Sequence, residues 1–505
     1  MKNSKSTEII SPRKMRHSSS INVFVVVFFF AVLQMIPALI NGYPFIFFDS
    51  RGYHNAGQAV VQTVLGKSRT NRNIPSETFT DQENLSESPV ASPSKNSILN
   101  NKVIPMSRSP YYGAIFYSFF KTEIFFLVLF QSLIVAYVSW LVVKQVFWTS
   151  RVKPFLIAGI VCATLTPLPY FVAYAMPDVF VGLIPLCIFL ICYSNSRLSP
   201  IELLFCWLIL TASISFHTSH TLLTVGLLLT LLIISAWRPL RPSFFGWVAS
   251  LFALSIGILS VVLFAYVSKV VFGSWPQNIP FLTARGIEDG PVIELINNDC
   301  GGYKFAVCQL SPLNSPDSQQ FLWDREGPFQ TADYDTKQKL SDEDLMVFLT
   351  AARAYPKMQV LASFKNFIEQ LSLFGLHEFY TARRVFVESA TNYMDDINLK
   401  RFQNSLAVKD HYPFAAISII IYVTSLVGLF ILAYNTKYCR KAKSTFALTI
   451  LIFSALLLNS IICGMLSDPH HRYQARIIWL LPFFATLLFL QLSYFRKCRG
   501  SKTKY

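Results

Sequence analysis

Charge is scarce in this sequence. Asp, Glu, Lys and Arg make up 14% of the 505 residues, against about a quarter in an ordinary soluble domain. So little charge leaves a water-facing globule of this size uncovered. A hydrophobic content of 53%, an aromatic content of 15% and a mean hydropathy of +0.43 point to a membrane instead. A glycine-rich nucleotide loop, an HExxH motif and a serine-hydrolase elbow in a workable context are also missing. The lack of a nucleotide loop, and loops on the basic side too short to hold a nucleotide-binding domain, argue against ATP-driven transport by this chain alone. A basic stretch precedes the apolar run 23–33 as in a signal peptide. No small-residue cleavage site follows and the run continues to Ile40, so it reads as a retained anchor.

What is present is a series of apolar runs of roughly the length that crosses a hydrocarbon core of about 30 Å. They fall at residues 21–42, 123–146, 154–170, 178–195, 201–217, 220–236, 245–269, 413–434, 445–466 and 476–495. The fold class expected is an all-α integral membrane protein with about ten transmembrane helices. Threading from a cytoplasmic N-terminus gathers twenty basic residues inside: Lys2, Lys5, Arg13, Lys14, Arg16, Lys144, Arg151, Lys153, Arg197, Arg238, Arg241, Lys437, Arg440, Lys441, Lys443, Arg496, Lys497, Arg499, Lys502 and Lys504. Only Glu8 and Glu202 oppose them, so the net charge of +16 divides into +18 inside and −2 outside. This is the positive-inside pattern of a multi-pass protein, expected in a bacterial inner membrane with both termini cytoplasmic. Orientation and contact with anionic lipid headgroups account for the basicity, and nucleic acid is an unnecessary explanation.

The chain divides into a basic tail at 1–20, an N-terminal transmembrane module at 21–269, an extracytoplasmic region at 270–412, a C-terminal transmembrane module at 413–495 and a basic tail at 496–505. The outer loop 43–122 of the first module contains a polar stretch, about 68–97, without apolar periodicity, which reads as a disordered insertion. Asn84 within it begins a glycosylation sequon. The flanking pieces FFDSRGYHNAGQAV and RSPYYGAIFYSFF read as short interfacial helices. The region 270–412 contains two helical patterns, 342–353 and 358–373, the latter with apolar residues at helical spacing. Of nine cysteines, only Cys300 and Cys308 share this outer region. Their closeness on the oxidising side fits a disulfide, with two free thiols as the alternative, and the spacing matches no zinc motif.

Ionisable residues that carry chemistry gather at the predicted outer ends of the spans. Asp49 follows the first span, where it fits a general base or metal ligand facing a cavity; alternatively Asp49 or Ser50 is the N-cap of a helix over 52–65. Asp178, after Pro177, fits either a second cavity carboxylate or the first-turn acid of the next helix. His217 and His220 lie three apart, able to share a face toward a phosphate or metal, or to diverge in a tight turn. The cluster Asp468-Pro469-His470-His471-Arg472-Tyr473, with Arg476, immediately precedes the last span. Its arginines, four apart, suit a phosphate or diphosphate; snorkelling side chains in an aromatic belt are the alternative. Arg108, beside Tyr111 and Tyr112, adds another guanidinium.

Asp49 just past the first span, Pro177-Asp178 at a later outer turn, and Arg472-Tyr473 running into Leu480-Leu481-Pro482 together resemble the GT-C class of integral-membrane glycosyltransferases, although QARIIW is inserted into the last motif. The segments FFD, RSPYYG, MPD, ARxIEDGP and HRYQAR also resemble an uncharacterised family of bacterial inner-membrane proteins across most of the chain. The GT-C resemblance implies transfer of a sugar from a polyprenyl-phosphate donor to an envelope acceptor on the outer face. Asp49 would then be the base, and Asp178 would orient the acceptor or hold a divalent cation. Arg108, His217, His220, His471, Arg472 and Tyr473 would surround the lipid phosphate. A secondary transporter and a non-catalytic envelope-assembly protein are the competing classes.

Overall fold

The computed structural model describes residues 20–64, 108–147, 151–193, 197–272, 275–310, 316–380, 384–439 and 443–501. The insertion expected at 68–97, its sequon at Asn84 and nearly all of the N-terminal tail lie outside the described residues. These residues form helices and no strand; an isolated bridge joins Phe45 and Tyr174. Seven helices are long and apolar enough to cross a membrane: Val23–Asn41, Phe125–Val146, Thr218–Ser235, Phe244–Val270, Phe414–Asn435, Lys443–Leu466 and His471–Ser493. Val152–Leu165, Val179–Tyr193 and Pro200–Phe216 are shorter and equally apolar. The protein is therefore an all-α, multi-pass membrane protein.

Every residue of the Val179–Tyr193 helix is buried. It is apolar on all faces, and a helix without a polar stripe is stable only when surrounded. Around it pack Phe125–Val146, Pro200–Phe216, Thr218–Ser235, Phe244–Phe272 and Lys443–Leu466. The outer helices leave large apolar side chains exposed, among them Phe252, Leu259 and Leu263 on one and Val423, Leu426 and Phe430 on another. An apolar belt of that extent requires lipid around it.

The last span is two helices, His471–Ile478 and Leu480–Ser501, with a break at Trp479. Pro482 explains the break, because it lacks the N–H that would bond to the Ile478 carbonyl one turn earlier. Trp479 is fully buried against Gly182, where an added Cβ would overlap the indole. That contact fixes the short His471–Ile478 helix against the start of the central helix.

One end of the bundle carries Lys144 and Arg197, two of the basic residues that the sequence assigns to the inner side. There Lys144 pairs with Glu202 at 2.6 Å, and the Arg197 guanidinium donates to the Gln145 carbonyl. The other end carries residues 275–310, 316–380 and 384–412, including a small separate core built on Ile287, Leu295, Phe321 and Leu340. Cys300 and Cys308 are disulfide-bonded beside that core. The Phe125–Val146 helix, with its 22 residues, separates the two ends by about 33 Å.

Candidate functional site

Asp49 is placed by two loops that run side by side. Phe45 N–H donates to the Ala173 carbonyl at 2.9 Å, and Ala175 N–H returns a bond to Phe45 at 2.9 Å. Ser50 Oγ adds a bond to the Ala175 carbonyl at 3.1 Å and accepts one from Phe47 N–H at 3.1 Å. The loop leading to Asp49 is thereby tied to the loop leading to Asp178. The helix begins at Phe48, earlier than the sequence indicates, so Asp49 lies in its first turn and its carboxylate is free to reach across the site.

Arg108 arrives from the far side of the long loop. The Pro110–Thr122 helix starts with Ser109 as N-cap and proline at its first position. Ser109 Oγ donates to the Ser215 carbonyl at 2.7 Å, and Tyr111 Oη to that of Ser260 at 2.6 Å. This helix crosses Phe48–Val64 at Gly57 and Gly113, whose backbones meet so closely that a Cβ on either would overlap the other chain. At that crossing, Arg108 is brought onto Asp49 in an ion pair.

The second guanidinium on Asp49 comes from the other end of the sequence. Arg472 Nη2 lies 3.3 Å from Asp49 Oδ2, and its guanidinium sits over the Phe47 ring at 4.3 Å and near the Tyr473 ring at 5.0 Å. Burial alone would raise the Asp49 carboxyl; Arg108 and Arg472 outweigh it and hold it below the ordinary aspartate range. One carboxylate thus carries two guanidiniums.

This group lies on the wall of a cavity of about 740 Å³. His217, Tyr473, Glu378, His470, Arg285 and Asp468 also line it, as do Leu222, Ile462 and Leu466 from two of the long apolar helices. His217 caps the Thr218–Ser235 helix, its Nδ1 accepting from Ser219 N–H at 3.2 Å. Arg285, nearly buried, links Asp289 at 2.6 Å to Asp468 at 3.2 Å and so ties the outer region to the segment carrying Arg472.

Three sequence candidates are placed elsewhere. Asp178 is buried behind the cavity wall in an ion pair with Arg476 at 3.2 Å, and Arg476 also reaches Ser219, Asn459 and Cys463. Asp178 therefore does not line the cavity, and its one charged partner is a cation. His220 is fully buried with Nδ1 2.7 Å from the Ser213 carbonyl, although its ring lies 5.4 Å from that of His217. His471 turns toward residues 375–377: its Nδ1 accepts from Gly375 N–H at 3.0 Å and its ring packs on His377. Among the described residues, no group of three or more His, Cys, Asp or Glu is arranged to hold a metal ion.

Glu378 is the functional candidate that sequence reasoning missed. Its Oε1 accepts from His471 N–H at 2.8 Å, while its buried Oε2 has no hydrogen-bond partner. Burial raises its carboxyl above the ordinary glutamate range, and His470 and Arg472 offset only part of that. A single acid in Gly375-Leu376-His377-Glu378-Phe379, far from any predicted span end, offers no spacing signal. Comparison with family models, curated proteins and solved structures gives no match.

Proposed function

We propose that this cavity binds a lipid-linked phosphate, and that the protein transfers a sugar from a polyprenyl-phosphate donor to an acceptor at the outer face of a bacterial inner membrane. The observation carrying this reading is the sharing of Asp49 between Arg108 and Arg472 beside a rim of Leu222, Ile462 and Leu466. Paired guanidiniums suit a phosphate because each offers two parallel N–H donors to its oxygens. The rim residues belong to apolar helices, so the same opening suits a prenyl chain coming from the bilayer. With the three shorter apolar helices counted as spans the chain makes ten crossings, and on that count the positive-inside rule supports an outward-facing cavity.

In the reaction the acceptor hydroxyl attacks the anomeric carbon of the sugar. The bond from that carbon to the phosphate oxygen breaks, its electron pair leaves with the lipid phosphate, and the hydroxyl proton passes to Asp49. Arg472 and Arg108 stabilise the charge that develops on the leaving phosphate. Clamped by two cations, Asp49 is a weak base. A bound donor draws the guanidiniums toward its own phosphate, and the carboxylate regains basicity where the acceptor arrives.

The test uses full-length protein in lipid nanodiscs with undecaprenyl phosphate and undecaprenol as probes. The phosphate lipid is expected to raise Tm and the alcohol to leave it unchanged, with the rise lost in Arg472→Ala. Equal effects of the two lipids, or none from either, would overturn the reading. Solute flux in sealed vesicles with no sugar incorporation would replace it with a carrier.

A further inference from the structure

The Pro356–Ser372 helix is inside out. Its buried positions are Gln359, Ser363, Asn366 and Gln370, which share one helical face. On the opposite face Val360, Leu361, Phe364 and Ile368 are between 47% and 66% exposed. The sequence puts apolar residues at helical spacing over 358–373, and the structure turns that face outward. In a water-facing domain the apolar stripe faces inward.

The inward polar face is engaged. Gln370 holds His470 at both backbone groups, donating to its carbonyl at 2.9 Å and accepting from its N–H at 2.9 Å. Asn366 donates to Asp289 at 2.8 Å, and Gln359 to Ser363 at 3.0 Å. The helix also lies against the last turn of Lys443–Leu466, where Gly464 permits contact and a Cβ would overlap the Asn366 carbonyl. Its outward face is thus continuous with Leu457 and Ile461, exposed on that span. Lys357 and Lys365 are exposed along the same helix.

We infer that Pro356–Ser372 is a membrane-embedded helix, lying in the leaflet on the cavity side with Val360, Leu361, Phe364 and Ile368 among acyl chains. Lys357 and Lys365 reach the phosphates of neighbouring lipids. Lipid accounts for both faces together: the polar one is saturated by protein, and the apolar one extends a surface already made for hydrocarbon. Through Gln370 the bilayer then holds His470, two residues before Arg472. The inference is independent of the chemistry proposed for the cavity.

The experiment reconstitutes the full-length protein in phosphatidylcholine vesicles containing a phospholipid with a diazirine at mid-chain, and maps cross-links by peptide mass spectrometry. Labelling is expected on Leu361, Phe364 and Ile368 at a level within about threefold of Val423 and Phe430, and not on Gln359 or Asn366. Absence of label from 360–368 while the spans are labelled would overturn the proposal. So would replacement of lipid label by cross-links to a second copy of the chain. Phe364→Leu should keep the labelling of Leu361 and Ile368, whereas Phe364→Lys with Ile368→Lys should lower it severalfold in the folded, disulfide-bonded protein. Unchanged labelling in that double variant would count against embedding.

Discussion

Arg472 and Asp49 are 423 positions apart in sequence, and their side chains meet at 3.3 Å. The contact closes the molecule from end to end, bringing the first loop after the first apolar helix onto the start of the last one. Arg108 completes it from the other side of Asp49. Two guanidiniums converging on one carboxylate suit a phosphate as a second anion, because each presents paired N–H donors.

Arg472→Ala and Arg108→Ala should each weaken binding of undecaprenyl phosphate by about tenfold or more. That matches the loss of a charge-assisted hydrogen bond worth about 1.5–3 kcal/mol. Asp49→Asn should retain or tighten that binding, since it frees the guanidiniums, while abolishing sugar transfer. Titration of the phosphate lipid alongside incorporation of radiolabelled sugar checks both. Loss of lipid binding in Asp49→Asn would place Asp49 in the architecture of the site and outside its proton chemistry.

Asp178 and Arg476 are 3% and 1% exposed. Removing one partner strands a buried charge, so Arg476→Met should destabilise the protein by about 3–5 kcal/mol. Asp178→Leu with Arg476→Met should recover most of that loss. Equilibrium unfolding in mixed detergent micelles measures the cycle; additive losses would show that the two groups act separately.

Gly57→Ala and Gly113→Ala should each cost about 1–3 kcal/mol, because the added methyl meets backbone that cannot yield without parting the two helices. Arg108 rides on that crossing, so affinity for the phosphate lipid should fall with stability. Gly301→Ala is the control, having open space around its position. Equal behaviour of all three variants in thermal unfolding and lipid binding would refute the argument.

His54 is enclosed by Phe116, Tyr117, Phe120 and Tyr393. Burial pushes its pKa down to about 4, with Lys121 lowering it further and Asn55 and Asp395 opposing. The folded form is neutral where the unfolded chain, titrating near 6.5, takes up a proton. Between those values the unfolded state binds more protons, so stability is full above about pH 6.5 and falls as the pH drops toward 4. The fall amounts to about 3 kcal/mol over that window. Tm measured from pH 7 to 5 should decline less in His54→Phe than in the wild type, and parallel declines would exclude His54 as the source.

Much of the membrane architecture is legible in residue order. Apolar runs of about twenty residues report helices because lipid leaves the backbone no other partner than itself. Each run corresponds to an apolar helix, although Val179–Tyr193 is 15 residues long and wholly enclosed by protein. Asp49, Arg108, His217, Arg472 and Tyr473 stood out as polar groups at span ends, and the same cavity takes them in. Asp178 and His220 carried the same signal, but inside the bundle Asp178 pairs with Arg476 and His220 with the Ser213 carbonyl. A sequence does not say whether an ionisable group at a helix end faces a cavity or a partner. Glu378 gave no signal because its importance comes from what surrounds it.

The sequence by itself determined that this chain spans a membrane and which parts are apolar, because those properties sum over local composition. Tertiary structure alone decided that Arg472 and Arg108 share Asp49, that Arg476 instead takes Asp178, and that Pro356–Ser372 turns its polar face inward. Those outcomes depend on the directions of side chains from distant segments, which are set by helix crossings such as Gly57 on Gly113 and by the break before Pro482. Hydropathy is the same whichever way a helix is rotated; a guanidinium's choice of carboxylate is not.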